Sequence, residues 1–174
     1  MQAVRFRTVL ADPPWPYQSS KAIVGNAGRG HNRLTAGGVT TQVAAADHYD
    51  LMAMSGIKAW PVRQFTEDDS HLYLWFTNAF AVEAHEVARA WGFEPKTIIT
   101  WVKVKKGKNP TPSMKAGYYY RGATEHILFA VRGSLRLQGP AHPTVFLTLR
   151  LPHSQKPEYS YRMIEEQSPG PYLE

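Results

Sequence analysis

The sequence of 174 residues contains no cysteine, and it has no long uninterrupted apolar run. The first absence excludes disulfide bonds and thiolate metal sites, and it is typical of intracellular proteins. The second excludes a membrane-spanning helix, which needs about 20 apolar residues, and no signal-like stretch precedes the first predicted strand. We therefore expect a cytoplasmic protein without a membrane segment, and no cluster of ligands predicts a metal site.

Acidic residues are fewer than basic ones, 14 against 20, and the formal net charge is +6. A basic surplus favours polyanionic partners, because phosphate contacts release condensed counterions. Charge alone is weak evidence, since many basic proteins bind no nucleic acid. With 43% hydrophobic residues and no break in composition, residues 1–174 are expected to form a single domain.

The most informative run is residues 9–17, in which an apolar strand ends at a carboxylate and two prolines. Proline restricts its own backbone and that of the residue before it, so Asp12 and Pro13 are expected to be extended and rigid. Asp12 offers a carboxylate oxygen as an acceptor. Pro13 offers its backbone carbonyl, and no N–H competes beside that carbonyl because the next residue is Pro14. Two fixed acceptors suit an amino group on a flat ring, such as the exocyclic amine of adenine. We predict that residues 12–15 form a catalytic loop.

Two aromatic residues follow the prolines, Trp15 and Tyr17. Either ring is a candidate to stack on a base, a contact worth roughly 1–3 kcal/mol where it has been measured. The alternative is a strand end with a proline-rich turn whose aromatic residues pack back on the core.

Hydrophobic periodicity predicts strands that alternate with helices, which indicates a layered α/β sheet. Asn78 is a predicted N-cap, and Ser55 a predicted cap of short helical pieces that follow His48 and Tyr49. His48 is interpreted as a packing residue and not as a base. The predicted strands are 6–11, 71–76, 97–103, 124–131 and 143–150, and the predicted helices are 80–91 and 157–167.

Two segments have the composition of loops. Residues 18–46 are rich in glycine and small polar residues, and a stretch of this length is either a functional lid or a disordered excursion. Residues 104–123 interleave basic and aromatic residues, including Lys105, Tyr119 and Arg121. Cations for phosphates and rings for unstacked bases predict a nucleic-acid surface, against the alternative of a solvated loop.

Lys156 precedes a predicted helix that begins near Pro157. A cation at the positive end of a helix dipole makes a site for a carboxylate. The alternative is a surface lysine that happens to precede a helix.

The Asp-Pro-Pro-Trp run resembles motif IV of the amino-group adenine methyltransferases, in the group that contains the catalytic subunit of the messenger-RNA adenosine methyltransferase and its bacterial and phage relatives. The similarity extends over nearly the whole chain in the order that this family uses. It recurs at residues 48–49, 74–78, 91–93, 101–103, 121–125, 154–158 and 168–171.

This resemblance implies a three-layer Rossmann-like sandwich that uses S-adenosylmethionine to methylate the N6 amine of adenine, in DNA more than in RNA. It implies that Lys156 binds the methionine carboxylate of the donor, with Asp12 and Ser154 on the donor side. Arg121 and Glu125 fall on the substrate side, although Glu125 is equally suited to a structural ion pair. A homo- or hetero-oligomer is compatible with the family.

The family pattern continues past the point where this sequence stops, so we expect the last strand and some donor-binding residues to be incomplete. Two other functions are considered. One is a non-catalytic nucleic-acid-binding homologue that acts as a partner subunit. The other is methylation of a glutamine or a small-molecule amine.

Overall fold

The computed structural model describes residues 4–17, 52–114, 119–152 and 154–174. The predictions for residues 18–46 and for His48 and Tyr49 lie outside these ranges. The described residues form six strands and four α-helices, in the order β1 Phe6–Ala11, α1 Met54–Lys58, α2 Val62–Phe65, β2 Thr66–Phe76, α3 Ala81–Ala90, β3 Glu94–Val104, β4 Thr124–Arg132, β5 Val145–Leu149, α4 Glu158–Gln167 and β6 Tyr172–Leu173, with a 3₁₀ helix at Asn78–Phe80 before α3.

The strands form one sheet in the order β5-β3-β4-β2-β1-β6. Strand β1 is parallel to both β2 and β6, and β3 is parallel to β5. Strand β4 is antiparallel to its two neighbours, β2 and β3. The start of β4 therefore lies at the same edge of the sheet as the ends of β1, β2 and β3.

Side chains of β2 alternate between two apolar clusters, one on each face of the sheet. Leu72 and Leu74 pack with the buried stripe of α3, whereas Tyr73 and Trp75 pack with Met163 of α4 and its neighbours. Helices thus cover both faces, which gives three layers. The predicted α/β class is confirmed, and the sheet with its two helical layers is consistent with a Rossmann-like core.

Three predicted helix boundaries are wrong in detail. Ser55 lies inside α1, whose N-cap is Ala53, and the N-cap makes no side-chain hydrogen bond to the helix. Asn78 opens the 3₁₀ helix without capping it, because its side-chain oxygen contacts His126. Pro157 occupies the N-cap position, so α4 begins one residue later, at Glu158.

A buried polar network fixes the segment after α4 against β2. The Ser168 hydroxyl lies 2.7 Å from His71 Nδ1 and 2.8 Å from the Tyr73 hydroxyl. His71 Nε2 lies 3.0 Å from the Leu135 carbonyl, which can only accept, so Nε2 carries the proton and Nδ1 accepts from Ser168. Burial lowers the pKa of His71, which keeps the ring neutral.

Across the described ranges, no helix combines the length and apolar character needed to cross a membrane.

Candidate active site

Four charged side chains meet at the edge of the sheet where β1 ends. Asp12 follows β1, Lys103 lies near the end of β3, Glu125 lies near the start of β4, and Lys156 lies just before α4. Ligands bind at this edge of α/β sheets, beyond the carboxyl ends of parallel strands. The predicted residues Asp12, Glu125 and Lys156 are thus brought together.

The four side chains form an alternating chain of ion pairs. Lys156 Nζ lies 3.0 Å from Asp12 Oδ2 and 3.2 Å from Glu125 Oε2. The other oxygen of Glu125, Oε1, pairs with Lys103 Nζ. The side chains of Lys103, Glu125 and Lys156 are only 10%, 16% and 13% exposed, whereas that of Asp12 is 44% exposed. Asp12 is therefore the member of the chain that solvent and a ligand reach most easily.

Two buried indole rings lie beneath the cations. Lys156 Nζ is 4.8 Å from the centre of the Trp75 ring, and Lys103 Nζ is 4.5 Å from that of Trp101. The two rings contact each other edge to face, with centres 6.2 Å apart. At such distances the negative ring face attracts an ammonium group, most strongly for tryptophan.

Burial and charge act against each other in this cluster. Burial alone would raise the pKa of Glu125, but Lys156 and Lys103 outweigh it and the pKa is lowered. Burial would lower the pKa of Lys156, but Asp12 and Glu125 outweigh it and the pKa is raised. For Asp12, although 44% of the side chain is exposed, the burial of the rest outweighs Lys156, and the pKa is raised. Glu125 is consequently a fixed anion, whereas Asp12 retains more of its affinity for a proton.

Successive backbone hydrogen bonds stiffen the predicted catalytic loop. The Trp15 N–H donates to the Pro13 carbonyl at 2.8 Å, and the Tyr17 N–H donates to the Trp15 carbonyl at 2.8 Å. The Pro14 carbonyl accepts from the Met52 N–H at 3.1 Å. A carbonyl oxygen has two lone pairs, so the bond from Trp15 leaves acceptor capacity at Pro13.

The structure does not agree with the prediction that Trp15 stacks on a base. Its indole is 3% exposed, stacks on Phe80 with ring centres 5.2 Å apart, and donates from Nε1 to the Trp75 carbonyl at 3.0 Å. The ring is part of the core because the loop turns back over β2, which is the alternative that the sequence left open. Tyr17 is half-buried, with its ring edge-on to Phe80 and its hydroxyl 2.9 Å from Thr77 Oγ1.

A cavity of about 980 Å³ opens beside Asp12 and Lys156. This volume lies at the upper end of the roughly 300–1,000 Å³ of ligand pockets. Ser154 and Glu174 add polar groups to the end that contains the ion pair, and Trp60 lines an apolar part. Ser154 has a positive φ of 64°, a conformation that few residues other than glycine adopt.

The charged groups that line this cavity fit S-adenosylmethionine. The amino-acid end of that molecule carries a carboxylate and an ammonium group, and Lys156 and Asp12 place one charge of each sign side by side. Among the described residues, no group of three or more His, Asp or Glu side chains is placed to hold a metal ion.

Three predicted substrate residues lie on the segment between β3 and β4 and are not members of the chain of ion pairs. Lys105 and Arg121 are exposed, and the Tyr119 ring is 88% exposed. The Lys105 backbone N–H donates to the Thr111 carbonyl at 2.9 Å, which folds the segment back on itself. Their predicted contact with nucleic acid remains a prediction.

The sequence places Lys103 at the end of a strand and at the start of the basic run, but it does not predict that Lys103 joins the charged cluster. The available signal was its place two residues after Trp101 in a strand, because alternate residues of a strand share one face. For Glu125 the sequence left a substrate role and an ion-pair role open. Both of its oxygens pair with lysines, which is the ion-pair alternative.

Comparison with known proteins supplies the family. The MT-A70 family model matches residues 6–171. The human N(6)-adenosine-methyltransferase catalytic subunit METTL3 is 30% identical over 168 residues, which are 95% of this chain and 24% of METTL3. The Mycoplasma type II methyltransferase M.MunI is 26% identical over 159 residues, which are 88% of this chain and 63% of that protein.

The Drosophila melanogaster N(6)-adenosine-methyltransferase MT-A70-like protein is 25% identical over 167 residues, with 95% of this chain and 23% of that protein covered. The chain thus spans about a quarter of the length of its METTL3-type relatives. Because the family model covers almost every residue of the fold and site described above, the chain belongs to the MT-A70 family.

Proposed function

We propose that this chain carries the site of an S-adenosylmethionine-dependent methyltransferase that acts on the N6 amine of adenine in nucleic acid. The observation that supports this most is the Asp12–Lys156 pair, which lies at the end of β1 beside a cavity of about 980 Å³. The match to the MT-A70 family, whose relatives include proteins named as N(6)-adenosine methyltransferases, supports the same function.

Asp12 and Pro13 are the acceptors that we assign to the amine. The adenine amine is a poor nucleophile while its lone pair is delocalised into the ring. An Asp12 carboxylate oxygen and the remaining lone pair of the Pro13 carbonyl each accept one amine hydrogen, which lets the nitrogen become pyramidal. Because the loop is fixed by its own hydrogen bonds, the acceptors need no reorganisation as the reaction proceeds.

Lys156 and Asp12 are the residues that we assign to the donor. When bound, S-adenosylmethionine supplies an electrophilic methyl group on a sulfonium sulfur. The Lys156 ammonium holds the donor carboxylate, and Asp12 and Ser154 contribute to its polar end. Alignment of the two substrates by one rigid cluster supplies the main rate enhancement, since correct orientation alone is worth up to about 7–11 kcal/mol of the barrier. Asp12 contacts both sides, so its substitution affects both.

Tyr17, Lys105, Tyr119 and Arg121 are the residues that we assign to the nucleic acid. Lys105, Arg121 and Tyr119 are exposed and Tyr17 is half-buried; the cations contact phosphates, and the tyrosine rings contact unstacked bases. An adenine must leave any duplex before its amine reaches the catalytic loop, as in other enzymes that modify bases. We propose DNA before RNA as the acceptor, and the assay includes both because these residues recognise features that the two polymers share.

The test is a methyl-transfer assay with donor labelled on the methyl group. The acceptors are DNA and RNA oligonucleotides with adenine, the same oligonucleotides without adenine, and a glutamine-containing peptide, beside a buffer blank. Transfer to the adenine-containing oligonucleotides alone is expected. Transfer to the peptide but not to the oligonucleotides would contradict the adenine assignment. Tight oligonucleotide binding without transfer would instead indicate a non-catalytic partner subunit.

A further inference from the structure

We propose that Lys103 and Glu125 form a positioning pair, which holds the Lys156 ammonium in place between Glu125 and Asp12 and so sets the geometry of the donor site. This inference rests on the proposed function for its link to the donor, but its structural part concerns only the four charged residues. Neither Lys103 nor Glu125 is assigned a contact with either substrate.

Glu125 lies between two lysines. Its carboxylate offers two oxygens, and each of them pairs with a different lysine. Because Lys103 pairs with Oε1, part of the negative charge of Glu125 is neutralised, and Glu125 attracts Lys156 less strongly than it would without Lys103. Without Lys103, Glu125 would hold part of its negative charge unpaired in a site that is 16% exposed, and Lys156 would be drawn towards it.

The backbone fixes both members of the pair. Glu125 on β4 is in register with Trp101 on β3, two residues before Lys103. The Lys103 N–H donates to the Ala123 carbonyl at 2.8 Å, and its carbonyl accepts from the Ser113 N–H at 2.7 Å. The pair is therefore built on two central strands of the sheet, where positions are held more exactly than on a loop.

The indole rings beneath the cations add a second constraint. In the described part of the chain, Nε1 of Trp75 and Nε1 of Trp101 are buried without a hydrogen-bond partner, which costs free energy. A phenylalanine would avoid that cost but would present a weaker face to an ammonium group. The rings lie 4.8 Å and 4.5 Å from the two lysine ammonium groups, so both cations are held from below as well as from the sides.

The effect of Lys103 on Asp12 passes through the other two residues. Lys103 forms an ion pair with Glu125, whose second oxygen pairs with Lys156. The charged groups that act on Asp12 are Lys156, Glu125 and Glu174. Loss of Lys103 is expected to move Lys156 towards Glu125 and away from Asp12, which raises the pKa of Asp12.

The experiment compares Lys103→Met, Lys103→Arg and Lys58→Met in the full protein. Lys58→Met is the matched control, because Lys58 also pairs with a glutamate, Glu86, at 2.8 Å, but on the exposed surface of α1. The first readout is the pKa of Asp12 by ¹³C NMR without any donor. The second is the dissociation constant for S-adenosylmethionine by calorimetry.

Lys103→Met is expected to raise the pKa of Asp12 and to weaken donor binding about tenfold, which lies within the range for residues coupled in one network. Lys103→Arg keeps a positive charge beside Glu125, so its donor affinity should lie closer to that of wild type than the affinity of Lys103→Met does. Combining Lys103→Met with Lys156→Met should weaken donor binding no more than Lys156→Met does alone, since both act on the same ammonium group. Lys58→Met should change neither readout.

An unchanged Asp12 pKa in a folded Lys103→Met protein would overturn the positioning role. Losses of donor affinity that add up in the double variant would also overturn it, because they would show that Lys103 acts independently of Lys156. If wild-type protein bound no S-adenosylmethionine, the proposed function would fail, and the Asp12 titration, which needs no donor, would still decide whether the pair positions Lys156.

Discussion

Substitution of Trp15 distinguishes a structural role for this ring from a role in stacking on a base. The indole is 3% exposed, stacks on Phe80 and donates to the Trp75 carbonyl at 3.0 Å. Trp15→Phe keeps an aromatic ring but removes the indole N–H that donates the hydrogen bond. The buried Trp75 carbonyl then loses this partner, which costs about 1–3 kcal/mol of stability. Trp15→Ala also removes the packing and is expected to cost about 3–5 kcal/mol.

The assay is urea unfolding followed by circular dichroism. The slope of the free energy of unfolding against urea concentration is compared between proteins, to confirm that only stability has changed. The matched control is Trp60→Phe, because Trp60 also stacks on another ring, that of Trp91, but is 42% exposed. The Trp60→Phe protein should lose less than about 0.5 kcal/mol of its free energy of unfolding, as surface variants usually do. A Trp15→Phe protein as stable as wild type, with weaker oligonucleotide binding, would refute the structural assignment.

Four other sets of contacts give predictions of their own. Lys156→Met should weaken S-adenosylmethionine binding by about 10- to 150-fold in calorimetry, because it removes a charge-assisted hydrogen bond of about 1.5–3 kcal/mol; unchanged affinity would return Lys156 to a structural role. His71 has a folded pKa below its ordinary 6.5, so its contribution to stability is present above 6.5 and is lost as the pH falls towards the folded value. The free energy of unfolding should therefore change less steeply with pH in His71→Asn than in wild type. Parallel curves for the two proteins would contradict the buried neutral ring. Gly133→Ala should destabilise the fold by about 2 kcal/mol or more, since Gly133 has a φ of +69° and a Cβ there would collide with Asp69, whereas Gly122→Ala, with nothing within 4 Å, should not. Lys105, Lys106 and Lys108 should be replaced together by Met, and oligonucleotide binding measured at several salt concentrations. The slope of log K against log salt concentration should become shallower by roughly 0.7–0.9 for each phosphate that the segment no longer neutralises. An unchanged slope would show that this segment is not part of the interface.

The sequence predicts those parts of the fold that depend on local patterns. Strand β1 matches its predicted bounds, because an apolar run ends at Asp12 and Pro13. The stripe of α3 is confirmed, with Ala84 and Val87 buried, because its spacing is helical. Strands β2 and β3 begin earlier than predicted, at 66 and 94, because the charged residues at their starts hide the strand from a hydrophobic pattern.

The ion-pair chain could not be derived from the sequence, although three of its four members were singled out. Lys103 meets Glu125 only because β3 and β4 are antiparallel in a particular register, and periodicity does not specify register. Whether the Trp15 ring faces a ligand or the core also depends on contacts that are distant in sequence, such as that with Phe80. Local rules therefore identified the residue types of the site, and tertiary pairing decided their roles.

The proposed function depends above all on Asp12 and Pro13 holding an adenine amine for methyl transfer. The most direct test is mass spectrometry of an oligonucleotide with one adenine, after incubation with S-adenosylmethionine and either wild-type protein or Asp12→Asn. We expect one added methyl group on N6 of that adenine with wild-type protein, and a loss of at least about 100-fold in rate with Asp12→Asn, as for removal of one fixed transition-state contact. A methyl group on another atom, or undiminished transfer by Asp12→Asn, would contradict this assignment.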